Sequence, residues 1–372
     1  MKIIYYTDQV YLHGGIERVL ANKLNYLVNI KDVEVHLITT EQKENTPCYN
    51  ISEKVIMHDL GINYNREISY FHPLNFHKVP RHFVALKKKI KQINPNVVIV
   101  CNYAFDFYFI PYIFPKIPKI KEFHSSRHFE YKTRIENKSL LKKVYYKLND
   151  YIESKYHFLV LLTDDEKKYY TSNNTIVIPN ALTNLPNKLA KLDAKTVISA
   201  GRVAPVKGFE KLIQSWKLVS NKFPEWKLEI YGEGEVDYVD SLQKLIVQLQ
   251  LEKKITLCGA TNKMEDKMLD SSVYAMSSIT ECFPMVLLEA KTCGLPIVSF
   301  DCPNGPRNII KNNEDGILVE NENIEALAEG IINIIKTPIE RKKMGAKAQI
   351  NVQKFTQENI MKSWLKLFEY KN

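Results

Sequence analysis

Ser199-Ala200-Gly201-Arg202-Val203-Ala204-Pro205-Val206-Lys207-Gly208-Phe209 decides the fold class of this 372-residue chain. The apolar run 197–200 reads as a buried strand that stops on a glycine, and the run 209–221 reads as an amphipathic helix that starts on a second glycine. A strand passed to a helix through so short a turn is the βα unit of a parallel sheet. Between the glycines stand Arg202, a guanidinium fork, and Lys207, a point charge. Together they suit the oxygens of a diphosphate, although a solvated loop also carries such residues.

Working outward, the same rhythm fills the chain. Residues 3–7, 35–40, 55–60, 97–102, 120–124, 158–163 and 176–179 read as short strands, with helical patterns at 16–28, 84–93, 140–156 and 164–170. Residues 180–195 have no period and read as a linker. Strands then resume at 197–200, 228–231, 255–258, 273–276 and 297–300, alternating with helices at 209–221, 236–249, 264–270 and 284–293. The expectation is an α/β chain of two Rossmann-like, doubly wound domains, 1–182 and 183–355. They would face a central cleft, with ligand at the carboxyl ends of the strands. A last helix, 357–370 within the segment 356–372, would return toward the first domain.

Composition excludes several classes. Hydrophobic content of 45% and charged content of 25% are those of an ordinary soluble globular protein. No apolar run is long enough to span a bilayer, and Met1–Asp8 reads as a strand and loop rather than a signal peptide. Six scattered cysteines without a CxxC pair indicate reduced thiols and an intracellular protein. The net charge of +10 is unusual. Lysines group at 87, 88, 89 and 91, at 116, 119 and 121, and at 138, 142, 143 and 147, all in the first half. The expected partner is an anionic surface such as a membrane leaflet; the aromatic stretch 103–109 is a candidate second contact, although it reads more readily as core. A basic nucleic-acid-binding protein would share the charge. It would not explain two doubly wound halves with phosphate elements at strand ends, so no nucleic-acid partner is expected.

Other strand ends carry chemistry. Glu281-Cys282-Phe283-Pro284-Met285-Val286-Leu287-Leu288-Glu289 places one carboxylate before a helix and a second inside it, with Pro284 suited to the first turn. Free N–H groups at that helix start attract anions, and the two acids fit sugar hydroxyls. A capped amphipathic helix with incidental acids is the plainer alternative. Gly14 and Gly15 precede the first helix and let backbone approach a ligand; they do not form a dinucleotide fingerprint. His124 ends a strand, where it is able to meet a hydroxyl or a developing charge. Gly232, in Tyr231-Gly232-Glu233-Gly234, leaves room for a base or ribose. Residues 301–307 and 313–319 are further strand-end turns that serve structure equally well.

Arg202, Lys207, Glu281 and Glu289, in this order in a second α/β domain, resemble the retaining glycosyltransferases of family 4. The Gly-Gly turn, Pro179-Asn180-Ala181 and the Asn313-Glu314-Asp315-Gly316 turn extend that resemblance over essentially the whole chain. It implies the GT-B architecture and transfer of a hexose or N-acetylhexosamine from a nucleotide sugar, UDP-linked, to a glycan or lipid-linked acceptor. Residues 301–307 resemble branches of the family that build bacterial surface polysaccharides, where most have Glu at the position of Asn308. The resemblance also implies roles. Gly14 and Gly15 would approach the diphosphate or acceptor, His124 would lie near the donor sugar, and Arg202 and Lys207 would hold the diphosphate. Glu281 would bind sugar hydroxyls and Glu289 the ribose. Gly201, Gly232, Phe283, Pro284, Met285 and Val286 would complete the donor pocket, with Pro284 replacing the family's glycine and removing one backbone donor. No DxD triplet stands near a strand end, so no metal and no other cofactor is expected. The protein would work in the cytoplasm, at the inner face of the membrane. A nucleotide-sugar epimerase or a glycogen-synthase-like enzyme of the same fold is the rival expectation.

Overall fold

A computed structural model describes residues 1–70, 72–137, 139–183 and 185–369. Asn184 of the linker, Lys138 of the third lysine group and Tyr370 of the last helix lie outside the described residues. The chain divides into two compact units, Met1–Ile178 with Met361–Asn372, and Pro179–Ile360.

The first unit holds a seven-stranded sheet in the order β3-β2-β1-β4-β5-β6-β7. Its strands are β1 (Lys2–Thr7), β2 (Glu34–Thr39), β3 (Ile56–Asp59), β4 (Val97–Val100), β5 (Lys119–Glu122), β6 (Phe158–Leu161) and β7 (Thr175–Val177). The second holds six strands in the order β10-β9-β8-β11-β12-β13. These are β8 (Thr196–Ala200), β9 (Lys227–Tyr231), β10 (Ile255–Gly259), β11 (Val273–Met276), β12 (Ile297–Phe300) and β13 (Gly316–Val319). All pairings are parallel. The central strands β4, β11 and β12 are buried throughout, so they read as unbroken apolar runs rather than alternating ones. Strand order reverses beside β1 in one sheet and beside β8 in the other. At these two points the connections leave in opposite directions and open a crevice at the carboxyl ends.

The doubly wound fold class is the one expected, but several local expectations change. Lys119 and Lys121 do not belong to a basic surface, since both are buried on β5. The Lys119 ammonium donates to the carbonyls of Phe114 and Ile117, and Lys121 donates to those of Asn102, Glu122 and Val100. Burial pulls Lys119 down to about 7 and Lys121 down to about 8. The aromatic stretch is interior, in line with its core reading and not with a surface contact: Phe105 and Phe107 are core residues, and within it Tyr103 alone is exposed. Residues 164–169 form a 3₁₀ segment instead of an α-helix. The helices His128–Glu136, Ile324–Lys336 and Pro338–Asn351 were not foreseen. Ile324–Lys336 is amphipathic, with Glu325, Glu329, Asn333 and Lys336 exposed along one side, so its helical period was present in the sequence.

One buried ion pair locks the second unit. Lys291, on the helix Met285–Thr292, lies 2.7 Å from Asp315 in the turn before β13, and both are 0% exposed. Asp315 also accepts from the Lys311 amide at 2.9 Å and from Asn351 at 2.8 Å, while Lys291 donates to the Ile309 carbonyl at 2.8 Å. Removing one partner leaves a buried charge without compensation. Asp315→Asn or Lys291→Met should each cost about 3 kcal/mol or more in urea denaturation. The double variant should cost much less than the two together.

Candidate functional site

Two groups of candidate residues lie at the two reversal points. In the second unit, β8 runs out at Ala200 and its loop ends in the 3₁₀ turn Pro205–Lys207. Gly208 follows at φ 61°, and a Cβ there would stand 2.3 Å from the Ser277 carbonyl oxygen, so only glycine lets the two loops meet. The loop after β11 is stitched to this turn. The Ser277 hydroxyl donates to the Lys207 carbonyl at 2.9 Å, and the Ile279 amide donates to Val206 at 2.9 Å. The Lys207 ammonium then reaches Glu281 at 2.5 Å, where the Ser278 hydroxyl also donates, at 2.8 Å.

Neighbouring loops close around this pair. Glu281 forms an isolated parallel bridge with Asn304, which brings up the turn after β12, where Arg307 and Asp301 form a two-bond fork at 2.8 and 2.9 Å. On the other side, the Val203 amide donates to the Glu233 carbonyl at 2.7 Å. A Cβ on Gly232 would stand 1.8 Å from the Gly201 carbonyl, so the glycine loop after β9 lies directly against Gly201. Arg202 is exposed on the same loop.

The helix carrying Glu289 begins one residue later than expected. Pro284 has an extended backbone, φ −71° and ψ 100°, and caps Met285–Thr292 from outside. The Phe283 ring packs edge-on against Phe355 with centroids 5.5 Å apart, which leaves its backbone as the part free to meet a ligand. Met285, Val286 and Glu289 are half-buried. Tyr274 of β11 shows that the two glutamates share one neighbourhood. Burial chiefly raises its phenol, and the charges of both Glu289 and Glu281 add to the rise.

In the first unit, a cavity of about 390 Å³ opens at the ends of β1, β4 and β5. Asp8, Ile16, Glu17, Asn102, Glu122 and His124 are among its lining residues. Gly14 caps the first helix, Gly15–Leu27, beside Glu17, and neither glycine lines the cavity itself. The His124 Nε2 lies 3.5 Å from Glu122, and its buried Nδ1 has no hydrogen-bond partner among the described residues. Burial is the main cause that lowers His124 to about 4, with Lys23 and Lys121 adding and Glu122 opposing, so the ring is neutral near pH 7. Glu122 is held by Lys23, which stacks 4.4 Å over the Trp364 ring. Ligand atoms of Cys101, Glu122 and His124 come within 4.8 Å of one another. The Lys23 ammonium already supplies the positive charge there, and Lys121 lies beside it. Together these residues form a buried ion-pair network.

Sequence reasoning missed Glu122, Lys23, Asp8 and the Lys291–Asp315 pair. A signal existed for the first two: three ionisable residues within four positions of a central strand, Lys119-Ile120-Lys121-Glu122, require buried partners.

Residues 183–350 match the model of the family "Glycosyl transferases group 1". The likeness to the group 1 glycosyl transferases is carried by that segment. It lies inside the second unit and contains Arg202, Lys207, Glu281 and Glu289. Among proteins of this kind, an uncharacterized glycosyltransferase of Haemophilus influenzae is 36% identical over 192 residues, covering 51% of this chain and 54% of the relative. A poly(ribitol-phosphate) alpha-N-acetylglucosaminyltransferase of Staphylococcus aureus is 33% identical over 175 residues, 47% of this chain and 35% of the relative. The match thus spans about half or less of these relatives' lengths. S. aureus TarM, solved in complex with fondaparinux, alpha-GlcNAc-glycerol and UDP, superposes with a TM-score of 0.75 at 18% identity, over 99% of this chain and 100% of that one. The likeness shows the fold, which is GT-B.

A histidine whose folded pKa lies below its ordinary 6.5 stabilises the fold above that value and loses the contribution as pH falls toward 4. The stability of the wild type minus that of His124→Gln should therefore shrink by up to roughly 3 kcal/mol between pH 6.5 and 4. Paired denaturation curves check this, and the subtraction removes other titrating groups.

Proposed function

We propose that this protein is a retaining glycosyltransferase that moves a hexose or N-acetylhexosamine from a UDP-linked donor to a hydroxyl of a glycan or lipid-linked acceptor in bacterial surface-polysaccharide synthesis. The observation that carries the reading is the Lys207–Glu281 pair at the strand-order reversal, beside exposed Arg202 and within the family segment. Two cations on one loop match a diphosphate, and the carboxylates opposite match neutral hydroxyls. Glu281 then takes sugar hydroxyls and Glu289 the ribose. The backbone around Gly201 and Gly232 admits the nucleoside, and the first N–H groups of the helix Met285–Thr292 face the anion.

The chemistry follows from charge. The bond between the sugar C1 and the β-phosphate oxygen breaks, and a bond from the acceptor oxygen to C1 forms on the same face. The acceptor's proton passes to the departing phosphate. Arg202 and Lys207 neutralise the charge that develops on that phosphate, the task a divalent cation performs in other transferases, so no metal is needed. His124, neutral and with Nδ1 unpartnered, offers an acceptor to a sugar hydroxyl without placing a charge there. The α-linked product in the name of the S. aureus relative supports retention, because UDP-N-acetylglucosamine is itself α-linked.

Release of UDP should depend on an acceptor, which separates transfer from epimerisation, and EDTA should leave the rate unchanged. Lys207→Ala should lower turnover by about 10²-fold or more, as loss of a principal charge-stabilising group does. Near-normal turnover in that variant would contradict the assignment. A thermal-stabilisation screen of UDP-Glc, UDP-Gal, UDP-GlcNAc, UDP-GalNAc and GDP-Man should identify the donor, with the UDP sugars expected to stabilise more than GDP-Man.

A further inference from the structure

We infer that the helices His128–Glu136 and Leu140–Glu153 form a docking surface for an anionic lipid bilayer. The second helix is amphipathic with its apolar side turned outward. Leu140 is 78% exposed, Leu141 83% and Val144 66%, with Leu148 and Tyr151 also exposed. Residues 140, 144, 148 and 151 recur at helical spacing and form one stripe. The buried side is mainly polar: Asn149, Ile152 and Glu153.

That orientation is held in place. Asn149 accepts from the Tyr108 hydroxyl at 2.9 Å, and Glu153 forms a buried two-bond pair with Arg127. Rolling the leucines inward would break that pair and strand both charges. The first helix continues the surface. It has no buried residue, it exposes Phe129 and Ile135, and its Arg134 reaches Asp150 of the second helix at 2.6 Å.

Charge selects the occupant. Lys143 and Lys147 flank the stripe on one edge, Lys142 stands in the first turn on the side of Asn149, and all three are exposed. Lysines bordering an apolar stripe reach lipid phosphates while the stripe enters the acyl region. A second copy of the chain would cover the leucines but would bring these lysines against their own images. Tyr151, exposed on the stripe itself, suits the interfacial zone. Arg127 and Glu130, at the start of the first helix, line the cavity beside His124. Docking therefore brings the bilayer alongside the cavity that holds His124, where the lipid-linked acceptor of the reading proposed above would arrive.

The test is sedimentation of the full-length protein with phosphatidylcholine vesicles, with and without about a third phosphatidylglycerol. The wild type should pellet with the anionic vesicles and only weakly with the neutral ones. Leu140→Gln/Leu141→Gln/Val144→Gln should lose at least about tenfold in binding, while keeping its melting temperature because those side chains are exposed. Lys142→Gln/Lys143→Gln/Lys147→Gln should lose the preference for anionic lipid. No binding, or binding unchanged in both variants, would overturn the inference. So would a wild-type dimer in size-exclusion chromatography that the first variant dissociates, because the face would then join two copies. UDP titration of the same preparations keeps the two proposals separate. Loss of vesicle binding with UDP affinity intact bears on this surface alone, and absent UDP binding bears on the donor site.

Discussion

The loops after β8 and β11 are held together by three bonds, and the candidate site of the second unit depends on them. Ser277 to the Lys207 carbonyl and Ile279 to the Val206 carbonyl fix the backbones, and Lys207 to Glu281 fixes the charges. The approach is possible because Gly208 has no side chain facing the Ser277 carbonyl. Neighbouring strands in a parallel sheet normally send their following helices to one side. Here they send them to opposite sides, and the loops are left to face each other. A cation and a carboxylate at that junction neutralise one another and present one composite surface of opposite charge to whatever polar molecule enters. The same geometry recurs in the first unit beside β1, where the ionisable residues form a denser and more deeply buried network.

The two units use buried charge differently. In the second, Lys291 and Asp315 tie the helix bearing Glu289 to the turn before β13 as a buried structural lock. In the first, Lys23, Glu122 and His124 stand at the cavity itself. Although burial alone would raise Glu122, Lys23 above all holds it below the usual carboxylate range. That carboxylate lies on the Nε2 side of His124 and leaves Nδ1 without a partner among the described residues, a polarity that Gln or Asn would not reproduce with the same proton arrangement.

The architecture was legible because parallel strands buried on both faces, such as Val273–Met276 and Ile297–Phe300, are unbroken apolar runs ending in glycine or polar turns. The residues of the donor-side cluster were legible for a related reason: strand-end loops carry the chemistry, and Arg202, Lys207 and Glu281 all stand within a few positions of a strand end. Their pairing was not. Lys207 had been assigned to the diphosphate and Glu281 to the sugar as separate groups, whereas the two side chains touch. Lysine runs were misleading where they fell on β5, because charge in a sequence does not reveal that carbonyls at the end of β4 await a donor. Residues 140–156 gave the helix Leu140–Glu153 without revealing which of its faces is buried, since the pair of Arg127 and Glu153 decides that face and Arg127 lies outside the helix.

The central claim is that Arg202 and Lys207 hold a diphosphate at the junction of β8 and β11. Calorimetric titration of UDP and of uridine, each into the wild type and into Arg202→Gln and Lys207→Gln, tests it most directly. The account predicts that UDP binds the wild type at least about 10²-fold more tightly than uridine and that each substitution removes most of that difference, since charge-assisted bonds to phosphate are the stronger kind. Equal affinity for UDP and uridine, or an undiminished preference in Lys207→Gln, would contradict it.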